Sequence, residues 1–377
     1  MQLSLFPDIA VECPYTEGIK YAGSKLRLLP YILQLAQKVQ PRTIFDGFTG
    51  TTRVAQAFAR SGYTVVTNDL AVWSKVFALC YLRNTRSVGY YQELIDHLNA
   101  LPGKDGWFTE HYGGLPNKGS SVQSDGLKKP WQMHNTRKLD AIRSEIGRLK
   151  LEEIESATLL TSLILALDEV DSTLGHYASY LNEWSPRSYN TMKMTVPKYI
   201  ESPEKGHEVY SNDIFDILKH VHADLAYYDP PYGSNNEKMP PSRVRYAAYY
   251  HIWTTVCLND RPAIFGKVKR RLDSSDEVAS SVFEEYRKNE KGRFIAVDAI
   301  ERLLTETQSR FVILSYSSGG RATAEQLHEL LGKHGIIIDC VKVDYKRNVM
   351  AEMRWTHEWV RENESENQEY LFLIERH

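Results

Sequence analysis

TIFDGFTGTTRVAQAFARSGYTVVTND, residues 43–69, decides the fold. Residues 43–46 form a short β-type run that ends at Gly47. Residues 51–62 follow with helical character, and Gly62 suits a C-terminal cap because glycine reaches the left-handed region without strain. Residues 63–69 are again β-type, and residues 72–84, VWSKVFALCYLRN, again helical. Strand, helix, strand, helix is the beginning of a parallel α/β sheet. Upstream, Leu26, Leu29, Ile32, Leu33, Ala36 and Val39 fall at helical spacing before Pro41 stops the run.

Beyond residue 84 the rhythm breaks. Residues 85–205 are rich in Gly, Pro, Ser, Asn and aromatic residues, with loops such as residues 110–126, EHYGGLPNKGSSVQSDG. One apolar stretch there, residues 157–170, has the length of a helix. Alternation resumes with a strand at 207–213, a short helix at 215–221 and a strand, DLAYYDPPY, at 224–232. Then come FVILSY (311–316), a helix at 323–332, IIIDCVKV (336–343) and EYLFLIE (369–375). The expectation is a Rossmann-like core of seven strands, its closing pair an antiparallel hairpin. A mostly helical, loop-rich domain at 85–205 is inserted between the core segments 1–84 and 206–377.

Composition narrows the class. Hydrophobic residues make up 42% and charged residues 25%, as in ordinary globular proteins, and the net charge is −2. Cys13, Cys80, Cys257 and Cys340 form no CxxC pair, so neither a disulfide framework nor a metal site is expected. No apolar run is long enough to span a membrane and no signal peptide is evident, which points to the cytoplasm. Charge is unevenly spread. Residues 83–150 hold eleven Lys/Arg against seven Asp/Glu, and Lys267, Lys269, Arg270 and Arg271 form a second basic run. Such patches suit phosphates or a solvated face.

Asp229-Pro230-Pro231-Tyr232 carries the chemistry. It closes an apolar strand at the edge where open α/β sheets bind ligands. An exocyclic amine on adenine is a poor nucleophile because its lone pair is delocalised into the ring. A carboxylate and a main-chain carbonyl that accept both N–H groups localise that pair, and proline holds its carbonyl direction. Tyr232 offers a stacking face. The turn Asp46-Gly47-Phe48-Thr49-Gly50-Thr51-Thr52 lets backbone approach a ligand at a helix start. Its glycines are not spaced as GxGxxG, which weakens a nicotinamide reading. Asp69 ends the second strand, where an acid binds ribose hydroxyls. Asp213, before Ile214, either meets the cofactor adenine or merely caps a helix. Tyr246, Tyr249, Tyr250 and Trp253 lie beside basic residues, as nucleic-acid faces require, yet also at helical spacing. A rival pattern, Asp339 with Asp344-Tyr345-Lys346, resembles the D…(D/E)xK of metal-dependent nucleases but sits in a strand-like context.

Taken in order, KYAGSK (20–25), DGFTGT, Asn68-Asp69, the insertion, Asn212-Asp213, DPPY, LSYSS and EYLFLIE resemble the alpha-group (Dam-like) N6-adenine DNA methyltransferases. That resemblance implies S-adenosylmethionine as cofactor, held by Tyr21, Lys25, Asp46, Phe48, Gly50, Asp69, Asp213 and Ile214. It implies a flipped target adenine at Asp229, Pro230, Pro231 and Tyr232. Double-stranded DNA is the expected partner, with Lys128, Lys129, Arg137, Tyr246 and Tyr250 as candidate contacts, and a cognate restriction endonuclease is a possible companion. Methylation of cytosine N4, or of an amine in RNA or guanine, is the neighbouring alternative. A non-catalytic DNA-binding protein or a nuclease is the distant one. The DNA sequence recognised is not legible.

Overall fold

In the computed structural model the chain is described over residues 11–200, 206–233, 245–275, 278, 281–345 and 367–377. Lys346, the last residue of the nuclease-like pattern, lies outside them. Helix α1 (Leu29–Val39) leads into strand β1 (Thr43–Asp46), α2 (Arg53–Arg60), β2 (Thr64–Asn68) and α3 (Val72–Arg83). The insertion supplies α4 (Val88–Ala100), α5 (Trp107–Tyr112), α6 (Met133–Arg148) and α7 (Glu153–Glu169). The chain then returns through β3 (Glu208–Tyr210), α8 (Ile214–Ile217) and β4 (Leu225–Tyr228). Next come α9 (Tyr246–Tyr249), α10 (His251–Leu258) and α11 (Ile295–Glu306). β5 (Phe311–Ser317), α12 (Ala324–His334), β6 (Gly335–Tyr345) and β7 (Asn367–Arg376) complete it.

The seven strands form one sheet in the order β6-β7-β5-β4-β1-β2-β3. β1 pairs in parallel with both β2 and β4, and β4 with β5. β7 runs antiparallel to β5 and to β6, slotting between them. This is the Rossmann-like sheet the sequence predicts, with the antiparallel closing pair as expected. Strand β4 shows why the sheet is central: Leu225, Ala226, Tyr227 and Tyr228 are all buried. Leu225 and Tyr227 join a core with α1, α2, α3 and α7, while Ala226 and Tyr228 join a second with α8, α11 and α12. Burial on both faces is the condition of a parallel strand covered by helices on either side.

The insertion does not hang free of this core. Helix α7 packs along α3, and Trp131 donates from its ring nitrogen to the Leu167 carbonyl at 3.0 Å. The segment after α9 is gripped by the same insertion. Arg143 donates to the carbonyls of Val256 (2.6 Å) and Cys257 (2.9 Å), Tyr112 to that of Lys269 (2.7 Å) and Tyr180 to that of Val268 (2.9 Å). No described helix is long and apolar enough to cross a membrane.

Asp171, just past α7, ties the insertion to the front of the chain. Its carboxylate, fully buried, accepts from Lys20 Nζ at 2.8 Å and from the Arg187 guanidinium at 2.6 Å. Thr173 also donates to it, and Asp168 accepts the Lys20 backbone N–H at 3.0 Å. Removing the acceptor strands several donors at once. Asp171→Ala is expected to lower unfolding stability by about 1–3 kcal/mol in urea denaturation. An unchanged midpoint would show that this hub contributes nothing.

Candidate active site

The parallel pairing of β1 with β4 sets the carboxyl ends of the two strands side by side, with Asp46 opposite Tyr227. The next residues in each chain are the glycine turn and DPPY. The turn is fixed from several sides. Gly47 N–H donates to the Tyr227 carbonyl (3.1 Å), Thr49 N–H to that of Asn68 (3.1 Å), and Gly50 N–H to Asp69 Oδ2 (2.7 Å). A Cβ at Gly47 would stand 2.7 Å from the Tyr228 ring, and Gly50 has φ +50°, so both positions select glycine. Asp69 therefore clamps the turn to the end of β2 while its other oxygen accepts the Ala71 N–H at 2.8 Å. Asn68 and Asn212 exchange two hydrogen bonds, 3.0 and 3.1 Å, locking β2 to the end of β3.

These ends enclose a cavity of about 630 Å³. Asp46, Gly47, Phe48, Gly50, Asp69, Asp213 and Ile214 line it together with Asp229, Pro230 and Pro231. Tyr21, Lys25 and Tyr246 also stand on its wall. Eleven of the twelve residues expected at a cofactor and a substrate amine thus face one volume, within the usual range for small-molecule pockets. Asp213 lines the cavity and also takes the capping role weighed for it, its Oδ1 accepting the Phe215 N–H at 2.9 Å at the start of α8. Phe48 meets the Phe283 ring edge-on at 5.2 Å, and Tyr21 stacks on Tyr246 (5.4 Å, 27°) and Tyr250 (4.7 Å, 22°).

The electrostatics are unusual for so small a volume. Neither oxygen of Asp46, which is 1% exposed, meets a side-chain donor, and the Phe48 backbone N–H favours its ionised form. Burial, then the charges of Asp229 and Asp69, push its carboxyl well above the ordinary range. Asp229 is raised to about 6: burial raises it, the Lys25 ammonium pulls it back, and Glu369 pushes it up again. Lys25 Nζ lies 3.1 Å from Asp229 Oδ1, 3.2 Å from Glu369 Oε2 and 2.9 Å from the Tyr232 hydroxyl. Burial alone would lower that ammonium's proton affinity, but the two carboxylates overcome it and Lys25 stays charged. Tyr232 donates its hydroxyl to Glu369 Oε1 at 2.9 Å, and its ring packs 5.0 Å from Tyr316.

The model of the D12 class N6 adenine-specific DNA methyltransferases matches residues 21–310 of the chain. The chain belongs to that family. Among curated proteins, this methyltransferase is 25% identical over 338 residues to Type II methyltransferase M.NlaIII of Neisseria lactamica, covering 87% of this chain and 92% of that protein. To Modification methylase StsI of Streptococcus sanguinis it is 28% identical over 350 residues, covering 87% of this chain and 48% of that one. To Type II methyltransferase M.FokI of Planomicrobium okeanokoites it is 25% identical over 372 residues, covering 95% and 53%. The chain thus spans about half the length of the last two. It is an adenine-specific DNA methyltransferase with a Rossmann-like catalytic sheet.

Other expected residues of the methyltransferase stand elsewhere. Tyr232 lies outside the cavity lining. Tyr250 is 1% exposed and uses its hydroxyl to accept the Ala22 N–H (2.7 Å) and to reach the Gly175 carbonyl (3.2 Å). Lys129 is buried with its ammonium on the His111 carbonyl at 2.9 Å, Arg137 pairs with Asp105 at 2.6 Å, and Lys128 is half-buried. In the basic run, Arg271 is buried and spent on Asp260 and Asp273, each at 2.7 Å. Asp339 pairs with Lys38 on the surface.

Glu369, Phe283, Glu284 and Trp73 were not expected at the site. Glu369 had a readable signal: it opens the last strand, and because β7 is antiparallel its beginning lies at the carboxyl edge of the others, opposite Ser317. Phe283 and Glu284 come from a single 3₁₀ turn, Val282–Glu284, too short to leave a periodic signature.

Only an ionised Asp229 can accept a hydrogen bond from a substrate amine through both lone-pair sets. Since its carboxyl is raised to about 6, kcat/KM should climb with pH through about 6, flatten above it, and fall about tenfold per unit well below. Initial rates across pH 5–8 test this; a profile flat down to pH 5 would contradict it.

Proposed function

We propose that this methyltransferase takes its methyl group from S-adenosylmethionine and places it on N6 of an adenine flipped out of duplex DNA. The observation that carries the proposal is the shared cavity, with an Asp46 carboxylate that no described side chain pairs on one wall and the DPPY carboxylate on another. A buried carboxylate without a cationic partner is costly unless a ligand supplies one, and the ammonium of a methionine moiety is such a cation. Asp69 is suited to the ribose hydroxyls through its remaining lone pairs. Asp213, Ile214 and Phe48 suit the adenine ring, and Tyr21 and Gly50 the methionine side. S-adenosylmethionine supplies the methyl, its carbon–sulfur bond breaking as the bond to N6 forms.

On the other wall, Asp229 Oδ and the Pro230 carbonyl accept the two N6–H groups and direct the lone pair toward the donor. The carboxylate stabilises the positive charge that N6 gains, and the proton then lost is acidic enough to need no strong base. Pro231 stiffens the turn. Extrusion of the base costs a few kcal/mol and is required because the amine is unreachable inside the stack. The insertion, residues 85–205, together with the segment it grips at 251–271, is proposed as the recognition lobe. Exposed or half-buried basic side chains there, among them Lys128, Arg137, Lys267 and Lys269, would meet phosphates, while Tyr246 presents an aromatic face at the cavity. The names of the similar modification methylases support a place in a restriction-modification system beside a cognate endonuclease.

Tritium transfer from labelled S-adenosylmethionine to mixed-sequence duplex DNA, followed by nucleoside mass spectrometry, should yield N6-methyladenine, and Asp229→Ala should abolish it. N4-methylcytosine as product, or undiminished transfer by the variant, would overturn the assignment. Asp69→Ala should weaken S-adenosylmethionine binding about tenfold or more in calorimetry, through the lost hydroxyl contacts and the released Gly50 turn, with DNA affinity nearly unchanged. Equal cofactor affinity would remove Asp69 from the site.

A further inference from the structure

Among the described residues, the side chains around Lys25 form a closed set. Its ammonium donates to Glu369 Oε2 and to the Tyr232 hydroxyl and forms an ion pair with Asp229 Oδ1 at 3.1 Å, and Tyr232 in turn donates to Glu369 Oε1. Lys25 is 6% exposed, and the side chains of Asp229 and Glu369 are 18% and 12% exposed. One ammonium therefore faces two carboxylates in a place water scarcely reaches. A lysine paired with Asp229 alone would make a neutral pair, and a neutralised carboxylate accepts weakly and does little for a cation forming beside it.

We infer that Glu369 is a positioning residue of the methylation site: it shares Lys25 and braces Tyr232, so that the group facing the adenine amine keeps one net negative charge. This rests on the reading of Asp229 as the acceptor of that amine. Charged and titratable groups face Asp229 from every side. Lys25 and Tyr21 come from the front segment, Asp46 from β1, Tyr227 from its own strand, Tyr232 from its own turn, Tyr246 from α9 and Glu369 from β7. Of the carboxylates, only Glu369 also touches the ammonium that Asp229 uses, so it governs how far that ammonium is drawn to Asp229. Electrostatic support of this kind matters in the transition state, when N6 becomes positive, more than in substrate binding.

Glu369→Gln keeps the shape and the acceptor for Tyr232 but removes the charge and turns an amide N–H₂ toward Lys25. The ammonium is then left to Asp229, whose proton affinity falls. The acid limb of kcat/KM should move to lower pH by about one unit, and kcat at pH 8 should drop about tenfold, with S-adenosylmethionine affinity unchanged. Glu369→Asp retains the charge, so its limb should stay at the wild-type position even where its rate is reduced. A purely structural glutamate would give lower rates in both variants with neither limb moved, and that result overturns the inference. Thermal melting and cofactor calorimetry on each variant identify loss of fold; if Glu369→Gln does not fold, Lys25→Met, which must move the limb upward, takes its place, and an unmoved limb there is equally fatal. Asp229→Ala run in parallel separates the two ideas: transfer by that variant sinks the reading of the site, whereas a dead Asp229→Ala with an unmoved Glu369→Gln limb sinks the role of Glu369 alone.

Discussion

Two carboxylates at the ends of adjacent parallel strands impose the constraint around which the site is arranged. Once β1 and β4 pair in register, Asp46 and Asp229 are carried into the same cleft, where burial and mutual repulsion both oppose ionisation. A cleft of that kind needs cations. The protein provides one permanently, Lys25, and gives it to Asp229. Asp46 has none among the described side chains, which leaves a place matched to a positively charged ligand. On the proposed reading, that asymmetry separates the methyl donor from its acceptor within one cavity.

Lys25 reaches the sheet only because the front segment is held down along its length. Arg53, at the start of α2, donates to the carbonyls of Thr16 (2.7 Å) and Gly18 (2.9 Å). Lys20 is fixed by Asp168, in the last turn of α7, and by Asp171 beyond it, and Tyr250 takes the Ala22 N–H. Two of these anchors belong to the insertion or to the segment packed on it. The same residues that build the proposed recognition lobe thus hold Tyr21 and Lys25 against the cavity. A continuous apolar core from α3 through α7 to α10 supports that link, and packed interiors transmit displacement because they have little free volume.

The aromatic residues divide along similar lines. Tyr21 and Tyr246 form a stacked pair on the cavity wall, whereas Tyr250, directly behind them, is a core residue whose hydroxyl serves the backbone. Tyr232 is drawn toward β7 by its hydroxyl bond to Glu369. A ring so tethered acts on the site through Lys25 and Glu369 in this state of the protein. Among the basic residues, Lys129 and Arg271 show why a run of positive letters is a poor guide to a phosphate surface: a cation that finds a carbonyl or two carboxylates nearby is already satisfied.

Local chemistry determined most of the catalytic sheet in advance. Alternating β-type and helical periods, glycines where only φ > 0 or a bare Cα fits, and a proline-stiffened acid at a strand end are properties of short stretches, so Asp46, Gly50, Asp69, Asp213 and Asp229 could all be named from residues 43–69 and 207–232. Long-range pairing decided the remainder. Glu369 enters the site because β7 is inserted antiparallel between β5 and β6, which brings a strand's first residues to the edge where the others end. Phe283 and Glu284 arrive on one 3₁₀ turn whose address is set by the surface it covers. The environment of Lys25, too, was beyond any local signature: which acceptors a long flexible ammonium meets depends on strand order and burial, and those are settled only when residues more than three hundred positions apart are packed together.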